Sequence, residues 1–203
     1  MKIRLYERGV RISASFWFFA VLALFFVFDE DGLALYFLLP VFAHELGHLT
    51  AMRLLGVKIR SVRLSAFGIA IQKEGGLKLS YAKEIIVAAA GAFANLGLAL
   101  VFSFFPHDFD EPGRATLFMA ANIAVAVFNM FPIGGLDGGS LLKLSAERFL
   151  PQGIAFVLSR VFSFLILVPI FALSFFLIMR PERNFTLLAV SVYLAANVIR
   201  ECR

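Results

Sequence analysis

Apolar residues in this chain come in runs longer than a water-soluble fold needs. Six of them lie near Ser13–Phe28, Leu33–Leu55, Ile85–Phe105, Ala115–Phe131, Gln152–Met179 and Asn184–Ile199, separated by short charged stretches. A bilayer core about 30 Å thick is crossed by about 20 helical residues. Backbone polar groups inside it must be satisfied within the segment, and helices do that. The pattern therefore predicts an all-α polytopic membrane protein of about six transmembrane helices, of which the first, fourth and sixth are short for the task. Hydrophobic residues make up 61% of the 203, against about 45–50% in ordinary soluble domains. No charged stretch between the runs is long enough to close a core of its own. One intramembrane domain over residues 1–203 is expected, with its functional core at about 33–145.

The formal charge of +5 could suggest nucleic acid, but the positions of the charges argue for membrane topology instead. With a cytoplasmic N-terminus, the inner segments hold sixteen Lys and Arg residues. Lys2, Arg4, Arg8 and Arg11 lead, and seven more run from Arg53, at the inner end of the second run, to Lys83 before the third. The outer loops hold only Arg114, Arg180 and Arg183 and gather acids such as Asp29, Glu30, Asp108 and Glu111. Basic residues concentrate in cytoplasmic loops, so both termini are expected inside, in a multi-pass protein of the cell membrane with no nucleic-acid partner. The basic N-terminus resembles a signal peptide but lacks a small-residue cleavage site before a polar mature chain, so it reads as a retained first span. The single cysteine, Cys202, excludes an internal disulfide and has nothing nearby in sequence to orient it as a ligand or nucleophile.

Between the second and third runs the pattern changes. Val57, Ile59, Val62 and Leu64, then Ile69 and Ile71, alternate with polar residues, and Gly75–Gly76 offers a turn. This predicts a small β-hairpin or sheet on the cytoplasmic side, with an amphipathic connector on the membrane surface as the alternative.

Ionisable side chains within a bilayer are expensive and mark function. Few occur here: His44, Glu45 and His48 in the second run, Asp137 after the fourth, and Arg160 near the start of the fifth, where it can snorkel to the surface. His44-Glu45-Leu46-Gly47-His48 is an HExxH motif. Helical residues four apart share a face, so both imidazoles can reach one metal ion. Glu45 is rotated by about 100° and can stand beside the metal as a base. A pair of buried histidines making interhelical hydrogen bonds is the alternative, but it would bury these polar groups without a metal to satisfy them. A catalytic zinc takes three protein ligands and keeps one open position. His107 falls in an outer loop with Asp108 and Asp110. Asp137, in Pro132-Ile133-Gly134-Gly135-Leu136-Asp137-Gly138-Gly139, stands alone in an apolar setting whose proline and glycines interrupt a helix; capping a helix before Ser140 is its other possible role. At 1.5 Å per residue His48 and His44 lie roughly 10 and 16 Å below the cytoplasmic surface. Asp137 comes at the inner end of the fourth run, so the three can meet in the cytoplasmic half of the membrane.

In order, HELGH, Ala51, Gly56-Val57, Gly68, Gly91-Ala92-Phe93-Ala94-Asn95-Leu96 and Leu136-Asp137-Gly138 resemble the site-2 protease family of intramembrane metalloproteases (peptidase M50). The likeness is closest to its compact, six-span, sporulation sigma-factor-processing subgroup. It covers most of the chain from His44 to Gly139. Ala92 and Gly135 stand where the family often has proline, and Gly135 is expected to loosen the loop before Asp137; Pro132 matches. No inserted PDZ or C-terminal nucleotide-sensing CBS domain is expected. The resemblance implies Zn2+ ligated by His44, His48 and Asp137, with Glu45 as general base. It implies substrate contacts from Asn129, Asn95 and Pro132, with an interhelical hydrogen bond as the alternative for either asparagine, and membrane-anchored protein substrates cut in or near their spans. The sequence leaves the oligomeric state open. Two rivals remain: a zinc-binding membrane protein without activity, disfavoured by Glu45, and a metal transporter, disfavoured by the single cluster.

Overall fold

The computed structural model describes residues 2–7, 10–65, 68–73, 79–104, 113–179 and 185–200. The Gly75–Gly76 turn, His107 with its acidic neighbours, the Arg180–Arg183 turn and Cys202 lie outside them. The described residues form seven helices and four strands: β1 (Lys2–Glu7), β2 (Val10–Ser15), α1 (Phe16–Val27), α2 (Ala34–Leu54), β3 (Ile59–Ser65), β4 (Gly68–Lys73), α3 (Tyr81–Phe102), α4 (Arg114–Asn129), α5 (Asp137–Glu147), α6 (Gln152–Ile178) and α7 (Thr186–Arg200). Six of the helices answer to the six apolar runs. The seventh, α5, was not expected as a helix; its sequence is short and far less apolar than the runs, so hydropathy alone passes over it.

Among the described residues two helices, α3 and α6, are long and apolar enough to cross a membrane. α1, α4 and α7 are apolar but shorter, at 12, 16 and 15 residues. α2 has 21 residues, but His44, Glu45, His48 and Arg53 dilute its apolar character. Large apolar side chains face outward along most of these helices, among them Trp17, Leu46, Phe93, Leu165 and Phe175, as a chain dissolved in lipid rather than water would show.

Contacts divide the chain into two compact units. One comprises Met1–Ser80 with Ala90–Ala126, the other Tyr81–Ala89 with Val127–Arg203. In the first, the expected small sheet is present but larger than the sequence indicated. Its order is β1-β2-β3-β4. The basic N-terminal segment is not a bare leader into the first span. It forms the hairpin β1–β2, with Lys2 opposite Ser15 and Glu7 opposite Val10. β2 then runs parallel to β3, Arg11 opposite Ser61 and Ala14 opposite Leu64, and β3 pairs antiparallel with β4. The alternation in Arg4-Leu5-Tyr6 and Arg11-Ile12-Ser13 was masked by the charge count, which read these residues as a topogenic signal.

Local chemistry fixes the ends of α1 and α2. Ser15 caps α1, its hydroxyl accepting from Phe18 N–H at 3.2 Å. The Asp29 carboxylate accepts from Leu33 N–H and Ala34 N–H at 2.7 and 2.9 Å, satisfying two of the orphan donors that open α2. At its other end Gly56 has φ +70°, and Val57 N–H returns to Met52 O at 2.8 Å, the left-handed glycine stop. In the second unit, Ile133, Leu136, Leu167, Leu194 and Val198 form a buried cluster that ties the loop before α5 to α6 and α7.

Candidate metal centre

The buried residues of α2 include Pro40, His44, His48 and Met52, each four positions after the last, so one stripe of the helix carries both histidines inward. Their Nε2 atoms are 3.2 Å apart and the rings meet edge to face, centroids 4.8 Å apart. At zinc–nitrogen distances of about 2.0–2.1 Å, two nitrogens on a tetrahedral ion stand about 3.3 Å apart. The pair thus already has the spacing of two ligands on one zinc ion. Glu45 is half-buried on the next face of the helix.

Two glycines explain why this stripe can be packed so closely. A Cβ at Gly47, inside the HExxH motif, would come within 2.6 Å of Ala90 O and 2.8 Å of Ala94 Cβ, so the glycine lets α3 approach the backbone of α2. A Cβ at Gly91 of α3 would stand 2.6 Å from His44 Cε1 and from His48 Nε2, and 2.7 Å from His44 Nε2. Gly91 is therefore the floor beneath both imidazoles. One turn on, Asn95 is fully buried and its Nδ2 donates to Pro40 O at 3.0 Å. Asn95 was expected at the substrate. The structure shows its amide tying α3 to α2 one turn before His44.

Asp137 opens α5, its first residue after Leu136. Several features hold the preceding loop. Leu136 N–H donates to Ile133 O at 3.0 Å, and Gly134 N–H donates to Ser163 Oγ at 2.9 Å. Ser163, itself 1% exposed, donates its own hydroxyl to Ser159 O at 2.8 Å. Gly138 and Gly139 lie against the backbone carbonyls of Met130 and Ile133, leaving no room for side chains. Gly135 turns at φ +88° with its Cα side packed on Asn197, a conformation closed to proline, whose ring holds φ near −65°. Asn129 ends α4 and Pro132 follows it, both half-buried. His44 and His48 belong to the first compact unit and Asp137 to the second.

Gly91 and Ser163 were missed as supporting residues. Gly91 sits in a motif read only as a likeness. Ser159 and Ser163 gave a signal that was passed over: two hydroxyls four apart on one face of a very apolar run.

Comparison with known proteins bears on this arrangement. Residues 32–107 match the sequence model of peptidase family M50. A Synechocystis sp. protein that carries the provisional name of a zinc metalloprotease is 34% identical over 115 residues, 54% of this chain and 30% of that protein. Stage IV sporulation protein FB of Bacillus subtilis is 31% identical over 149 residues, 70% of this chain and 49% of that protein. The chain thus spans less than half the length of either relative. The site-2 protease from Methanocaldococcus jannaschii shares the fold, with a TM-score of 0.67 at 19% identity, over 100% of this chain and 96% of that one. The likeness read from the motifs is borne out to this extent: the chain shares the fold of that site-2 protease, and its residues 32–107 match the model of peptidase family M50.

Proposed function

We propose that this chain is a zinc-dependent intramembrane endopeptidase that cuts membrane-anchored proteins in or near their transmembrane segments. The facing Nε2 atoms of His44 and His48, 3.2 Å apart in an HExxH helix, support this reading most directly. His44, His48 and Asp137 are the proposed ligands and Glu45 the proposed general base. When bound, zinc would act as a Lewis acid on the scissile carbonyl and bring the pKa of a water toward about 7. Glu45, rotated by one helical step from His44, takes the proton of that water and passes it to the leaving amide nitrogen. His44 and His48 present Nε2 inward, so each ring's Nδ1 is the atom left for orienting partners. Asn129 and Pro132, at the end of α4 and in the loop toward Asp137, are the proposed substrate contacts.

A helical peptide bond is shielded by its own hydrogen bonds, so a substrate span must unwind before it is cut. Only β4 and β1 have an unpaired edge among the described strands; β3, including Leu64, is interior. β4 is therefore the proposed template for pairing with the unwound substrate by strand addition.

The proposed topology is multi-pass in the cell membrane with both termini cytoplasmic and lipid around the helices. The parallel pairing of β2 with β3 supports it, since it joins the N-terminal segment and the α2–α3 connection in one sheet, as two intervening crossings require. That sheet also carries Arg4, Arg11, Arg60 and Arg63, in keeping with a cytoplasmic location. The deciding experiment coexpresses candidate membrane-anchored substrates with wild type and with Glu45→Gln. Processing that persists in the variant refutes the catalytic assignment; loss of processing with zinc content retained supports it.

A further inference from the structure

We propose that Lys143, Phe156 and Arg160, where α5 passes into α6, form a headgroup site for an anionic phospholipid. The inference rests on the membrane reading above. Two cations from different helices converge on one ring. Lys143 Nζ stands 5.7 Å from the centroid of Phe156, and Arg160 Cζ stands 4.5 Å from it. The two charges are therefore no more than about 10 Å apart, within about one Debye length at 0.1 M salt. Phe156 lies one helical turn before Arg160, so the guanidinium leans back toward the N-terminus of α6, as helical side chains do.

Among the described residues Lys143 and Arg160 form no ion pair, and Glu147, one turn along α5, pairs with neither. Arg160 Nε is buried and has no hydrogen-bond partner. A ring face attracts cations, but it neither accepts that N–H well nor cancels two like charges. A phosphate group does both, because its oxygens accept from an ammonium and from guanidinium N–H groups at once. The surroundings point to a lipid as the phosphate's bearer. Ile154, Val157 and Val161, each more than half exposed, continue along α6 beside the pair, and Phe149 is 80% exposed at the elbow with Arg148 over its ring at 5.7 Å. Acyl chains would cover these residues while the headgroup sits between the cations. A zwitterionic headgroup adds an ammonium where two positive charges already stand, so the preference is for phosphatidylglycerol-type lipids.

The test uses the full chain in detergent micelles, titrated with dioleoyl phosphatidylglycerol or dioleoyl phosphatidylcholine, with bound lipid counted by native mass spectrometry. At the strength usual for two basic residues at an anionic membrane surface, wild type should prefer phosphatidylglycerol by about thirtyfold. Lys143→Gln with Arg160→Gln should lose that preference, and Lys143→Arg with Arg160→Lys should keep it. Equal phosphatidylglycerol binding by wild type and the doubly neutral variant overturns the proposal. So does competition by glycerol phosphate at the lipid's own concentration, which would make this a soluble-phosphate site. Alkaline carbonate extraction of cell membranes separates the two levels of argument. Release of the chain into the supernatant overturns the membrane reading and the lipid site together. Retention without a phosphatidylglycerol preference overturns the lipid site alone.

Discussion

Gly91→Ala puts the proposed metal centre to a quantitative test, because one methyl group separates fold from ligation. In a helix interior alanine is favoured over glycine by about 1 kcal/mol, so α3 itself should gain. The new Cβ, however, would stand 2.6 Å from atoms of both imidazoles, where ordinary carbon contacts begin near 3.5 Å. At least one ring, and by symmetry of the contacts both, must retreat by about 0.9 Å. Both are buried, at 4% and 8% exposure, so they retreat by leaving their rotamers. Metal sites tolerate ligand displacements of about 0.2 Å. Even disturbing the groups around a ligand costs about 10–100-fold in metal affinity, so zinc affinity should fall by at least about a hundredfold. Competition against a chromophoric chelator reads the affinity, and thermal unfolding with chelator present reads the metal-free fold. Metal-free stability should fall by no more than about 1–3 kcal/mol, the cost of overpacking set against the helix gain, while affinity collapses. Wild-type zinc affinity in a folded Gly91→Ala protein would refute the placement of the two rings over Gly91.

Further substitutions probe the other supports. Gly135→Pro, which restores the residue common in the family at this position, should destabilise the protein by at least about 1–3 kcal/mol, because φ +88° is closed to proline; an unchanged melting temperature would show that the loop adopts another turn. Ser163→Ala strands the Gly134 N–H and should cost about 1–3 kcal/mol, with Ser163→Thr recovering much of it, both read by chemical denaturation. Ile71→Pro in β4 should impair cleavage of a reporter substrate while leaving zinc content at the wild-type level; normal cleavage would end the strand-addition idea.

The site was more legible than the fold around it. His44 and His48 announced themselves because a four-residue spacing in a helix has one geometric meaning, and because charge within an apolar run is conspicuous. Asp137 stood out for the same reason, and the helix-capping role open to it before Ser140 agrees with its place at the start of α5. The sheet was half legible. The alternation of Val57–Ile71 was clear, but the strand that joins it, Val10–Ser15, lies fifty positions earlier, and no local pattern encodes a long-range parallel partner. Asn95 was visible as a polar residue in an apolar helix, yet its partner is a backbone carbonyl in another helix, which sequence does not display. Gly135 was read as a source of slack; that it supplies a positive-φ turn was not legible, since composition does not show a glycine's φ.

The pairing of Arg11 with Ser61 also sets an order of events during synthesis. The β1–β2 hairpin can close as soon as it is made, but its parallel partner β3 emerges only after α1 and α2. At about 5–20 residues per second, those fifty residues take about 3–10 s. For that interval the basic hairpin has an open edge and no sheet to join, and in the proposed topology its charges would remain available to hold the N-terminal side of the first two helices in place. β3 then completes the sheet around an orientation already chosen. The same strands would serve first as an insertion signal and afterwards as a latch across α1 and α2, so a mutation that weakens β2–β3 pairing should leave orientation intact and loosen the finished protein instead.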